Sequence, residues 1–129
     1  MAHEGKKILI VDDDKFLLDM YSVKFREKGY EVEVAYGGQE ALDKLSAGLN
    51  PAVILLDVVM PTISGLDVLK KIREGTLAKD AVIIVLSNQG QQSDVDAAKD
   101  FGIDGYIVKA STIPSEVLER VQEILQKKQ

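Results

Sequence analysis

The sequence predicts an α/β protein, a doubly wound parallel sheet of five strands interleaved with five helices. Three observations carry that expectation. Apolar segments alternate with stretches of helical periodicity along the chain, the signature of strand–helix–strand units with right-handed crossovers. Two of the segments, Ala52–Leu56 and Ala81–Leu86, are apolar without interruption, as strands covered on both faces require. A third, Glu31–Ala35, alternates with period two, as a strand with one wet face near a sheet edge does.

Ile8–Val11 is a β-branched run closed by Asp12, Asp13 and Asp14. From Lys15 to Lys28, Leu17, Leu18, Tyr21 and Phe25 recur at three- and four-residue steps, so this stretch is an amphipathic helix. Gly29 stands where a left-handed C-cap is wanted. After the edge strand, Gly37-Gly38 breaks the chain before a short helix carrying Ala41, Leu42 and Leu45. The strand 52–56 stops at Asp57, Met60–Gly65 forms a loop, and Leu66, Leu69 and Ile72 mark the next helix. The strand 81–86 ends at Ser87. Ser93 and Asp96 form a weak capping box for a helix holding Ala97, Ala98 and Phe101. Gly105–Val108 is the last strand and runs into Lys109. Pro114 sits in the first turn of a final helix whose Val117, Val121, Ile124 and Leu125 face the core.

A chain of 129 residues with 46% apolar and 29% charged side chains fits one soluble globular domain, residues 1–129 with a core of about 7–125. No cysteine is present, which excludes disulfides, thiolate metal sites and cysteine nucleophiles. The single histidine, His3, lies in the polar start, which argues against histidine-rich zinc sites and Ser-His-Asp catalysis. Twenty-one acids against 16 bases leave a net charge of −5, unsuited to a nucleic-acid or anionic-membrane surface. No signal peptide and no membrane span are visible, so a cytoplasmic location is expected.

Four of the five strands run into polar residues at their C-terminal ends: Asp12-Asp13, Asp57, Ser87 and Lys109. In an open parallel sheet those ends share one edge, and ligands bind in the crevice outside it. Alone, each residue has an ordinary reading: Asp12 to Asp14 as helix caps, Asp57 as a turn residue, Ser87 as a strand-end hydroxyl, Lys109 as a solvated lysine. Their joint occurrence is what those readings do not account for. Converging carboxylates repel unless a cation sits among them, and hard oxygen donors suit Mg²⁺ or Mn²⁺. A lysine and a hydroxyl match a phosphoryl group, and the isolated Asp57 is a candidate carboxylate nucleophile that forms an aspartyl phosphate.

These residues resemble the receiver domain of two-component response regulators, the class that includes the single-domain chemotaxis regulator. The resemblance spans about Lys7 to Leu125. It rests on Ile8–Asp14, on Leu55-Leu56-Asp57-Val58-Val59-Met60-Pro61 with Gly65 opening the next helix, on Val85-Leu86-Ser87, and on Gly105–Lys109. It implies a flavodoxin-like strand order 2-1-3-4-5 and a signalling switch, not a turnover enzyme. It implies further that Asp57 accepts a phosphoryl group from a histidine kinase or phosphotransfer protein. Asp12 and Asp13, with Asp57 and the Val59 backbone carbonyl, would hold Mg²⁺. Ser87 would hydrogen-bond the phosphoryl group, Tyr106 would be the aromatic switch residue, and Lys109 would pair with the acceptor. Tyr106 is also readable as an ordinary half-exposed strand aromatic.

One departure concerns the residue after Lys109, usually a proline in a cis peptide and here Ala110. A non-proline cis bond costs about 2.5–4 kcal/mol, so that peptide is either cis and strained or trans on another path. Val59 and Gln89 occupy the positions that tune phosphate lifetime. An apolar Val59 cannot orient a water by hydrogen bonding, which leaves that task to Gln89. Two other functions compete: a receiver-like scaffold that never uses phosphate, and a Mg²⁺-dependent aspartyl phosphatase. The phosphatase reading lacks the Asp-x-Asp pattern, because Val59 follows Asp57 by two. The complete set of acids disfavours the scaffold. The last two helices and final strand are the family's usual face for downstream proteins and homodimers. Only Gln126–Gln129 follows the final helix, so either a stand-alone regulator acting by protein contact or a piece cut from a longer chain is expected.

Overall fold

The computed structural model describes residues 6–58, 60, 63–75, 77–87, 92–108 and 113–128. Strands and helices alternate along them: β1 Lys7–Val11, α1 Lys15–Glu27, β2 Glu31–Ala35, α2 Gly38–Ser46, β3 Val53–Asp57, α3 Gly65–Glu74, β4 Val82–Ser87, α4 Gln92–Asp100, β5 Gly105–Val108 and α5 Pro114–Lys128. The strands are parallel and ordered 2-1-3-4-5, the flavodoxin-like arrangement expected above. Strand order reverses between β1 and β3, so the crevice at the switch point opens between those two strands.

Side-chain alternation divides the core into two layers. Leu9, Val11, Ile54, Leu56, Ile83 and Val85 pack beneath α2, α3 and α4. Ile8, Ile10, Val53, Leu55, Ile84 and Leu86 pack beneath α1 and α5. The unbroken apolar runs of β3 and β4 are thus explained by cover on both faces. As the alternating Glu31–Ala35 pattern predicts, β2 is an edge strand. Its exposed backbone is blunted by Lys44, whose Nζ donates to the Val34 carbonyl at 2.6 Å and lies 3.7 Å from both Glu33 and Glu40. A cation held against an edge strand, here from α2, discourages pairing with a further strand.

The end of α1 shows how local sequence sets the chain path. Gly29 has φ +91°, a conformation that costs a residue with a Cβ. This lets the Gly29 N–H reach the Arg26 carbonyl at 3.0 Å and the Tyr30 N–H reach the Phe25 carbonyl at 3.1 Å, a Schellman closure. The hydrophobic contact that accompanies such a closure is present too. The Phe25 and Tyr30 rings meet edge to face, with centroids 5.1 Å apart. Both are buried, Phe25 with Leu18 and Tyr21 along the inward stripe of α1 and Tyr30 just past its end.

Two local expectations are corrected. Ser93 does not cap α4; the helix already includes Gln92. The Gln92 amide donates to the Asp96 carboxylate at 2.9 Å, which turns Asp96 away from the box it would have formed. The capping box stands instead at α3, where Ser64 accepts from the Asp67 N–H at 3.2 Å and Asp67 accepts from the Ser64 N–H at 3.3 Å. Phe101 lies in the turn after α4, outside the helix expected to hold it. Ile124 faces the core as expected, packing partly buried against the α1–α5 layer.

Burial pushes the Tyr30 phenol up to about 12. The fold therefore favours the neutral phenol. Its contribution is complete below about pH 10 and is lost as pH climbs from there toward 12. Denaturant midpoints taken between about pH 9 and 11 are expected to fall less steeply in Tyr30→Phe than in the parent protein. Equal slopes would remove Tyr30 as the source of alkaline sensitivity.

Candidate functional site

The register places the polar residues. Val11 pairs with Leu56, so Asp12, one residue past β1, comes level with Asp57, the last residue of β3. Asp57 pairs with Leu86, and Ser87, the last residue of β4, pairs with Val108. Backbone bonds fasten this edge: the Asp12 N–H donates to the Ala35 carbonyl at 3.2 Å, and the Val58 N–H to the Leu86 carbonyl at 2.9 Å.

The three consecutive aspartates divide their work by geometry. Asp12 is fully buried, and its Oδ1 accepts the Asp14 N–H at 2.9 Å, bracing the turn. Asp14 is the N-cap of α1, accepting from the Phe16 and Leu17 N–H groups at 3.0 and 3.2 Å. Asp13 is exposed and takes neither role. One carboxylate oxygen from each of Asp12, Asp13 and Asp57 falls within 4.8 Å of the others. Asp57 and Ser87 are buried at 3% and 1% exposure. The structure therefore brings Asp12, Asp13 and Asp57 together, with Ser87 ending the neighbouring strand.

The chemistry of that donor set fits a small hard cation. Oxygens about 2.1 Å from an octahedral Mg²⁺ lie roughly 3 to 4 Å from one another, and the three carboxylates each bring an oxygen within 4.8 Å of the others. Carboxylates this close, two of them out of water, repel and lose hydration, and a cation offsets both costs. Asp12, Asp13 and Asp57 are the side chains able to hold one.

Tyr106 stands in mid-β5 opposite Val85. Its partly buried ring packs at the margin of the α2–α3–α4 layer. The Lys99 ammonium lies 5.0 Å from the ring centroid. Val59, Gln89, Lys109 and the Lys109-Ala110 peptide fall outside the described residues.

Sequence reading missed two features. The first is Gly65. A Cβ there would collide with the Asp57 carbonyl oxygen and stand 2.7 Å from the Val58 Cα. The Gly65 N–H donates to the Val58 carbonyl at 2.7 Å, so α3 starts hard against the Asp57–Val58 peptide. The second is an apolar groove of about 530 Å³ between α1 and the start of α5, lined by Phe16, Met20, Val23, Ile113 and Pro114 with Asp19 and Lys24 beside them. Phe16, Ile113 and Val23 are 72%, 59% and 54% exposed. The signal was legible: residues 16, 20 and 23 form a second apolar stripe on α1, apart from the one facing the core.

An open parallel sheet with a carboxylate cluster at its switch point defines the class, an α/β domain with a cation-competent acidic crevice. Comparison with known proteins gives the family. The response regulator receiver domain family matches residues 8–122. The response regulator SaeR of Staphylococcus epidermidis is 36% identical over 118 residues, covering 92% of this chain and 49% of that protein. ArlR of Staphylococcus aureus is 34% identical over 121 residues, covering 94% and 53%. The chemotaxis protein CheY4 of Vibrio cholerae superposes with a TM-score of 0.83 at 32% identity, covering 93% of this chain and 98% of that one. The chain belongs to the response regulator receiver domain family of two-component signalling. It spans about half the length of the curated relatives it matches. No helix among the described residues is long and apolar enough to cross a membrane.

Replacing Gly65 by alanine is expected to cost about 2 kcal/mol of stability, as overpacking against an immovable backbone does. It should also shift the Val58 amide resonance. A denaturation midpoint and a Val58 amide shift both unchanged from the parent would show that α3 can retreat freely.

Proposed function

We propose that this chain is a phosphorylation-driven switch in which Asp57 takes a phosphoryl group from a phosphohistidine on a sensor kinase or phosphotransfer protein. The observation that carries the reading is the clustering of the Asp12, Asp13 and Asp57 oxygens within 4.8 Å at the open edge of the sheet. An Asp57 carboxylate oxygen forms the new P–O bond as the P–N bond breaks. The histidine nitrogen leaves with the electron pair and takes a proton from solvent. Asp12 and Asp13, with Asp57 and the Val59 carbonyl, would hold Mg²⁺ or Mn²⁺, which supplies neutralisation of charge on the phosphoryl oxygens. The Ser87 hydroxyl donates to a phosphoryl oxygen, and Lys109 supplies a further positive charge. Tyr106 reports the change to the α4–β5–α5 face, Gln89 governs phosphate lifetime, and hydrolysis returns Asp57 to the carboxylate.

On this reading residues 1–129 form one receiver domain in the cytoplasm, with a core of about 7–125. Its output is contact with a downstream protein or with a second copy through the last helices. The phosphodonor covers the groove between α1 and α5. That groove begins two residues beyond the Asp14 cap, so a helix laid along Phe16 and Val23 would bring its histidine to the rim of the acidic crevice.

Acetyl phosphate with Mg²⁺ is expected to label the parent protein, and labelling should vanish in Asp57→Asn and on chelation of the metal. Full labelling of Asp57→Asn would end the assignment. Phe16→Ala should accept phosphate about tenfold more slowly from the kinase that phosphorylates the parent, as loss of an interface anchor does. Its labelling by acetyl phosphate should not change. Equal slowing with both donors would place Phe16 in the crevice and not in docking.

A further inference from the structure

α1 begins with a residue that helix chemistry does not call for. Lys15 is its first residue, and the first turn carries no acidic side chain. The macrodipole makes a helix N-terminus electropositive, so a cation there is disfavoured and an acid preferred. Lys15 also stands two residues after Asp13, the exposed member of the carboxylate cluster. Simple attraction would draw its ammonium there.

The ammonium goes elsewhere. Among the described residues Lys15 takes part in no ion pair. Its Nζ lies 5.5 Å from the centroid of the Tyr36 ring, a contact whose strength at an exposed site is close to that of an exposed ion pair. Tyr36 is 43% exposed and belongs to neither core layer, yet its backbone is fixed from two sides. The preceding Ala35 carbonyl accepts the Asp12 N–H at 3.2 Å, and the Tyr36 N–H donates to the Glu40 carboxylate at 2.9 Å. Glu40 is itself 3.7 Å from Lys44, which bonds the Val34 carbonyl. The ring is therefore mounted at the end of β2, beside the crevice. Two attractions of similar size compete for one flexible cation, and the placement of the ring decides between them.

We propose that Tyr36 is a positioning residue that parks Lys15 away from the carboxylates and so keeps Asp12, Asp13 and Asp57 open to a divalent cation. That role rests on the reading of those three residues as the cation site. Released from the ring, the ammonium swings to Asp13 and pairs with a carboxylate that the cation needs. A lysine brings one charge and three donors on a single nitrogen, and it does not gather three carboxylate oxygens as a hard divalent ion does. Lys15 is thus a built-in competitor. The affinity of the cluster for metal depends on the fraction of time that the ring holds it.

Mg²⁺ alone, titrated into the full chain without any phosphodonor and followed by the Asp13 and Val58 amide resonances, tests this apart from phosphoryl transfer. Tyr36→Leu is expected to bind Mg²⁺ about threefold more weakly than the parent, as loss of an exposed cation–π contact lowers the open fraction. Tyr36→Phe, which keeps the ring, should bind as the parent does. Lys15→Met should bind at least as tightly as the parent, and its Tyr36 ring resonances should move. In the Lys15→Met background, Tyr36→Leu should have no further effect, a non-additivity that a merely structural role for Tyr36 does not produce. Equal weakening by Tyr36→Leu with and without Lys15 would overturn the parking role. So would parent affinity in Tyr36→Leu, or Tyr36 ring resonances that ignore Lys15→Met. Parent amides that ignore millimolar Mg²⁺ would overturn the cation site itself, and the role of Tyr36 with it.

Discussion

Holding three carboxylates together is the constraint around which this fold is arranged. Asp12, Asp13 and Asp57 place oxygens within 4.8 Å of one another, and two of those side chains are buried. Like charges at such separations in a poorly hydrated setting repel strongly. Side chains on loose loops would simply move apart. They stay because each is mounted at or just beyond the end of a central strand. The β1–β3 pairing fixes Asp12 level with Asp57, and the buried runs of both strands resist any slip, since a one-residue shift would send every side chain to the wrong face.

The surroundings of the crevice reinforce that mounting. Asp12 is tied to the following turn through the Asp14 N–H, and Asp14 caps α1. On the other side, Gly65 lets α3 abut the Asp57–Val58 peptide, and the Ser64–Asp67 capping box keeps the first turn of α3 intact. The strand ends at the site are thus braced by the two helices that start beside them. Rigidity is concentrated at the carboxylates. The periphery is less constrained: α4 is thinly packed, and the outer stripe of α1 is apolar and open to solvent. A domain of the receiver family needs both properties, since its site must keep its geometry while its surface responds to partners.

Much of this was legible in the residues. Unbroken apolar runs announced strands covered on both faces, because burial on two sides removes any reason for polar alternation. Glu31–Ala35 announced an edge, and Gly29 announced the end of α1, since only a residue without a Cβ takes that turn cheaply. The positions of Asp12, Asp13, Asp57 and Ser87 at strand ends were readable once a parallel sheet was assumed. Capping was less legible. Ser93 and Asp96 carry the same spacing as Ser64 and Asp67, and the choice between them rested on where each helix starts and on the Gln92–Asp96 bond. Gly65 looked like a helix opener. That it is a close-approach site depends on the Asp57 carbonyl lying where its Cβ would be.

The order of local patterns along the chain determined the fold class, the approximate elements and the residue types at the strand ends, because periodicity and backbone preference act over a few residues. Only the tertiary structure decided that Asp12 is buried in the crevice, that Asp13 joins the same carboxylate cluster from its exposed side, and that Asp14 caps α1. It also decided that a second apolar stripe on α1 meets Ile113 and Pro114 to make a groove, and that Lys15 reaches the Tyr36 ring. Those outcomes depend on contacts between residues as far apart as positions 12 and 57, or 15 and 36, and such distances are set by the packing of the whole sheet and its helices.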